Sequence, residues 1–166
     1  MSTDFLVKLF EHNNWANRQI LEICSRLSEQ QIDAQPRSAA KGSIRETLVH
    51  LVTSQRGYLS LLTLPVGDRP RGPVAFADLQ ASLNSSGDGL LLLLGGRNES
   101  TPQARLRTTD DFYVEPWVIV VQIINHATEH REQIKSMLTA LGITPPDLDG
   151  WGYGEVTNAL APVSAG

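Results

Sequence analysis

Apolar side chains recur every three to four positions in four stretches of this chain, separated by polar segments rich in proline and glycine. In the first stretch, about Asp4 to Leu27, the residues Phe5, Leu9, His12, Ala16, Ile20, Ile23 and Leu27 keep helical period, not the alternation of a strand. Ser2 or Thr3 is placed to cap it. Ser28-Glu29-Gln30-Gln31 has the capping-box pattern, so a short new turn is expected there. Residues 36–42 read as loop. The second stretch opens on Ser43 and Glu46, another capping box, and continues through Ile44, Leu48, Leu51, Tyr58 and Leu62. Pro65-Val66-Gly67 stops it, because proline lacks an amide hydrogen and clashes with the preceding turn. Residues 68–73 read as a linker.

The third stretch, about Phe76 to Leu94, is the least regular. Phe76, Leu79 and Leu83 are in helical phase, but Gly87 and Gly89 follow, each costing about 1 kcal/mol in an exposed helix interior. The run Leu90 to Leu94 fits a buried helix end or a strand, and leucine's helix propensity favours the helix. Residues 95–111 are polar, and Arg105 to Arg107 with Phe112 to Val114 suggest a short extended excursion. The fourth stretch runs from Pro116, suited to a first helical position, to Leu141, with Gly142 suited to the position just past the end. Its apolar residues are Trp117, Val120, Ile124, Ala127, Ile134, Leu138 and Leu141.

Four helices with wide apolar faces have one economical arrangement, an all-α four-helix bundle. The length of 166 residues suits one domain, 1–166, with a core large enough to need no staples. The long connection between the second and third stretches predicts a crossover. In the tail, 144–166, Leu148, Trp151 and Tyr153 are expected to cover a bundle end, with fraying from Ala159.

Composition narrows the function classes. Fourteen basic residues against 18 acidic ones give a formal charge of −4, and the densest basic group, Arg97, Arg105 and Arg107, is broken by Glu99 and followed by Asp110 and Asp111. No basic surface for a polyanion emerges, so nucleic acid is not an expected partner. The longest purely apolar run, Leu90 to Leu94, is far short of the roughly 20 residues that cross a bilayer. No basic region leads into an apolar run at the start, so no signal peptide and no membrane partner are expected. Cys24 is the only cysteine, which excludes a disulfide framework and favours a reducing, cytoplasmic setting. It reads as a packed side chain rather than a nucleophile.

The chemistry rests on the histidines. His126 and His130 stand four apart, which on a helix places them on one face about 6 Å apart along the axis. Two imidazoles so placed can meet one metal ion; equally, they can be two solvated residues. His50 lies near the edge of the second stretch's apolar face, where a facing helix would bring it to the pair. Three neutral imidazoles around a divalent ion would leave a position for water or substrate. The segment His126-Ala127-Thr128-Glu129-His130 also fits the His-x-x-Glu-His pattern of inverted zinc proteases, but the chain is too short for their cleft. His12 faces inward and reads as a further ligand, a supporting donor or a core histidine bonded to a carbonyl. Tyr58 reads as a pocket wall or proton donor, or as core. Glu46, one turn before His50, is a candidate to orient it, and Gly57, unfavourable in mid-helix, reads either as leaving space beside the site or as simply tolerated.

The segments His12-Asn13-Asn14-Trp15-Ala16-Asn17, Ser43-Ile44-Arg45-Glu46-Thr47-Leu48-Val49-His50-Leu51 and Asn125-His126-Ala127-Thr128-Glu129-His130-Arg131-Glu132-Gln133 together resemble the DinB-like (DinB/YfiT) superfamily across nearly the whole chain. The resemblance implies a four-helix bundle, a homodimer, and a metal triad that maps onto His50, His126 and His130, holding zinc or nickel. Some relatives transfer low-molecular-weight thiols such as bacillithiol or mycothiol, and others are stress-associated proteins without known activity. Tyr58 stands where relatives often carry tryptophan. The expectation is a metal-dependent enzyme acting on a small molecule, a thiol S-transferase or hydrolase with His12 or Tyr58 assisting proton transfer. The alternatives are a non-enzymatic metal-binding stress-response bundle and a metal-free helical interaction protein.

Overall fold

The structure is a computed structural model and describes residues 3–35, 42–96 and 105–163. The periodic stretches form the helices α1 (Thr3–Cys24), α3 (Ile44–Thr63), α4 (Leu79–Gly95) and α5 (Pro116–Ala140), with a short α2 (Glu29–Ile32) and α6 (Gly150–Val156). Both capping boxes form: Ser28 and Gln31 at α2, and Ser43 and Glu46 at α3, exchange side chain-to-backbone bonds. Gly42, just before the second box, has φ +65°, and a Cβ there would lie 1.9 Å from Glu46 Oε2. Only glycine fits both that conformation and that approach. Pro116 occupies the first turn of α5, and Gly142, at φ +75°, terminates it. Ser2 as a cap, and most of the loop expected over 36–42, lie outside the described residues.

Each of α1 and α3 packs against both α4 and α5, so α1 and α3 face each other diagonally, as do α4 and α5. The core forms two apolar clusters. One gathers Ile20, Cys24, Leu48, Leu51, Leu83, Ile134 and Leu138. The other gathers Phe10, Leu62, Leu90, Leu94, Ile119 and Ile123. Along the chain α1 and α5 pass from the second cluster to the first, while α3 and α4 pass from the first to the second. Helices α3 and α4 are therefore parallel neighbours, and their connection must travel back along the bundle. It does so beside α3. Arg69 Nε donates to Leu64 O, Arg56 Nη2 to Gly72 O, and the Val74 amide to Thr53 Oγ1. This is the crossover that the length of the linker predicts.

Between the two clusters lies a layer of buried polar side chains. Arg131 of α5 donates to Asn13 Oδ1 (2.8 Å) and Asn17 Oδ1 (2.6 Å) of α1, and to Thr128 Oγ1 (2.9 Å). Asn17 Nδ2 donates to Gln55 Oε1 of α3, and Gln55 Nε2 to Ser86 Oγ of α4. Asn14 Nδ2 donates to Gly87 O. All four long helices are thus tied at one level by directional bonds that fix their rotation and register. The glycines that weaken α4 in the sequence have a packing reason. A Cβ on Gly87 would lie 2.9 Å from the Asn14 amide, and one on Gly89 would lie 2.7 Å from Leu59.

The extended excursion is a two-stranded hairpin, β1 (Leu106–Arg107) and β2 (Tyr113–Val114), pairing Leu106 with Val114. The tail departs from expectation. It forms a helix, α6, capped by Asp149. Leu148 is buried and Tyr153 packs on Trp15 at 5.3 Å between ring centroids, but Trp151 is 72% exposed. Three glycines within seven residues hid this helix from propensity. The Ala159 amide donates to Gly154 O and Leu160 packs against Gly154, and the last of the residues expected to fray, 164–166, lie outside the described residues.

Cys24 is fully buried, and burial pushes its thiol pKa up to about 12. A thiol that stays protonated and enclosed is a poor nucleophile. In native protein at pH 8 it is expected to react with a disulfide reagent at least about a hundredfold more slowly than in denaturant, through opening of the fold. Comparable rates in the two conditions would contradict this packing. No helix among the described residues is long and apolar enough to cross a membrane.

Candidate metal centre

His50 on α3 and His126 and His130 on α5 meet beside the polar layer. The four-residue spacing stacks the pair on one face of α5, and the antiparallel packing of α3 brings His50 opposite them. His126 Nε2 lies 3.0 Å from His50 Nε2 and 3.2 Å from His130 Nε2. One ligand nitrogen from each ring falls within 4.8 Å of the other two. The rings stand at 75° between His126 and His130, 88° between His50 and His130 and 54° between His50 and His126, so none of the pairs stacks in parallel.

This donor set fits a divalent cation. A tetrahedral ion with nitrogen at 2.0–2.1 Å sets its ligand nitrogens about 3.3 Å apart, close to the 3.0 and 3.2 Å seen here. The tautomer is also suitable. His130 Nδ1 donates to Gln133 Oε1 at 2.8 Å, which leaves the Nε2 lone pair directed at the cluster. Gln133 is thus an orienting residue that the sequence analysis did not single out. Its signal was available: it stands three positions after a candidate ligand on the same helix. Glu46 does not take that part for His50 in the bonds it makes, since its Oε2 accepts from the Ser43 amide at 2.8 Å.

Burial falls off across the cluster. His130 is buried, His126 is half-buried and His50 is exposed. The open side leads into a cleft of about 440 Å³ lined by Gln35, Gly42, Glu46, Thr47, His50 and His130. Beyond His126 stands Tyr58, edge-on to its ring at 5.6 Å between centroids. Burial raises the Tyr58 pKa above its ordinary value, and the Glu129 carboxylate adds to this against a lowering hydrogen bond with Gln122. A second cleft, of about 290 Å³, begins at Tyr58 and is bordered by Ser54, Gly57 and Arg69. A Cβ on Gly57 would meet nothing within 4 Å, so its absence is not what opens the space at that position.

His12 does not join the cluster. Its Nε2 donates to Leu148 O at 2.8 Å, and its ring packs against Trp15 and Tyr153. Of the three readings open from sequence, the structure shows the carbonyl-bonded one, and this bond fastens the tail to α1.

The fold and the site define a four-helix bundle with a histidine cluster able to hold a divalent metal between two of its helices. The family model described as DinB family matches residues 1–161, and the chain belongs to that family. Comparison with curated proteins finds no match.

Proposed function

We propose that this protein is a metal-dependent enzyme acting on a small molecule, with zinc or nickel held by His50, His126 and His130. The observation that carries the reading is the convergence of three imidazole nitrogens at a spacing suited to one ion, beside a cleft that His50 and His130 line. Among the described residues the metal-ligating group consists of these three side chains. Three protein ligands are the pattern of sites that keep a position for substrate.

A divalent ion there supplies Lewis acidity and lowers the pKa of a thiol or of water. The chain's own residues do the rest. Gln133 holds His130 in the ligating tautomer. Tyr58 carries its phenolic proton at neutral pH, as a tyrosine ordinarily does, and burial holds that proton more firmly still, so it is suited to donate a hydrogen bond to a reacting group. We place proton handling on Tyr58 rather than on His12, whose Nε2 is bonded to Leu148 O. The two clefts suit a reaction with two substrates, a low-molecular-weight thiol and an electrophile, which favours S-transfer over hydrolysis.

The test is conjugation of a small electrophile with thiols of the cysteine, bacillithiol or mycothiol type. Metal-loaded protein is expected to accelerate it over the metal-free form, and His50→Ala is expected to abolish the acceleration. Equal rates with and without metal, for every thiol and in hydrolysis assays, would leave a non-enzymatic metal-binding bundle. The family resemblance also implies a homodimer, for which Trp117 and Val121, one turn apart and exposed on α5, offer an apolar contact to a second copy.

A further inference from the structure

The cleft beyond Tyr58 is chemically unlike the histidine cluster. Its floor is the face of α3 that carries His50, continued at steps of three and four through Ser54, Gly57, Tyr58 and Leu61. Its far wall is the returning connection and the hairpin turn, which contribute Arg69, Pro70, Thr108 and Thr109.

Arg69 is the charged group in this lining. Its Nε donates to Leu64 O at 3.1 Å and its Nη1 to Arg107 O at 2.7 Å. A guanidinium has five donor hydrogens, and these two bonds fix its plane while leaving donors over on a side chain that lines the cleft. The neighbouring arginines differ. Arg105 is paired with Glu115 and Arg107 with Asp111. Among the described residues Arg69 has backbone carbonyls for partners and no carboxylate ion pair. A cation held in place by neutral acceptors keeps its charge for a ligand, and its planar fork suits a carboxylate.

We propose that this cleft is the specificity subsite of the histidine centre, and that Arg69 there binds the carboxylate of an elongated small-molecule substrate whose reacting atom lies at the histidines. The inference rests on the metal-dependent reading above. The span from His50 to Leu61 is eleven residues of helix, roughly 16 Å, which limits the substrate to a chain of about that reach or less. Thr108 and Thr109 border the same end with hydroxyl groups. The other residues lining this cleft are uncharged, and one guanidinium among them matches a monoanion better than a polyanion.

The probes are 8-mercaptooctanoic acid, its alcohol analogue 8-mercapto-1-octanol and the short 3-mercaptopropionic acid, titrated into cobalt-loaded protein and followed by the thiolate-to-cobalt absorption. The long acid is expected to bind roughly tenfold to a hundredfold more tightly than the long alcohol, as a charge-assisted hydrogen bond provides. That preference is expected to shrink to within about twofold in Arg69→Ala and to survive in part in Arg69→Lys. Gly57→Leu, which places a side chain over the cleft floor, is expected to weaken the long acid and to leave the short acid unchanged. Wild-type protein that binds the long acid and the long alcohol equally overturns the subsite while leaving the metal-dependent reading intact. A preference that persists in Arg69→Ala overturns the assignment to Arg69. Protein that takes up cobalt but binds no thiol overturns both, and the acid–alcohol comparison needs no variant to fold.

Discussion

His126→Ala is expected to lower affinity for zinc or nickel by at least about a hundredfold, since loss of a mere orienting partner already costs 10–100-fold. His126 is the central ligand: its Nε2 stands beside those of both other histidines. The two that remain approach from different helices and form a weak chelate. The apo variant should be as stable as the apo wild type, because the ring is half-buried and alanine favours a helix. The effect therefore appears as lost stabilisation by metal. Wild-type protein at a hundred times its dissociation constant should gain about 2.7 kcal/mol, and the variant little at the same concentration. Competition with a chelator and thermal melts with and without metal measure both quantities. Gln133→Ala should fall between the two, about 10–100-fold weaker than wild type. Affinity in His126→Ala within a few-fold of wild type would remove this histidine from the site.

The largest effect on the fold is expected at Arg131, where two forces oppose each other. Burial lowers the guanidinium pKa to about 10, a sign of the desolvation it suffers, though it stays protonated at neutral pH. Replacing a buried ion with an apolar side chain is often neutral or stabilising. Here the acceptors decide the outcome. Asn13 and Asn17 are 1% and 0% exposed, and Asn17 cannot turn its amide without breaking its bond to Gln55. Arg131→Met strands at least one of their oxygens, at about 1–3 kcal/mol each, and leaves unfilled volume. A net loss of about 2–4 kcal/mol follows, or roughly 5–15 °C in Tm for a chain of this size. Urea unfolding should show a lower midpoint at unchanged slope. A variant as stable as wild type would mean that desolvation outweighs the network.

Much of the bundle was legible in the chain because each helix states its period and its ends. Ser43 with Glu46, Pro116 and Gly142 mark boundaries through local chemistry that needs no tertiary partner. What depended on a partner was harder to read. Gly87 and Gly89 look like defects until Asn14 and Leu59 are seen against them. Asn13, Asn17, Gln55 and Arg131 are polar residues at core positions, and their purpose emerges only when four helices place them at one level. The same holds for the site. The spacing of His126 and His130 was readable on one helix, but His50 lies 76 positions from His126, and family resemblance rather than spacing joined it to them. Arg69 gave no signal in the sequence, since its place at the cleft depends on the crossover running back along α3.

X-ray absorption on protein loaded with one equivalent of zinc bears most directly on whether imidazoles from α3 and α5 share one cation. The expected spectrum shows scattering from three imidazole rings per zinc, falling to two in His50→Ala. A spectrum without imidazole scattering, or purified protein that retains no zinc after dialysis, would contradict the account.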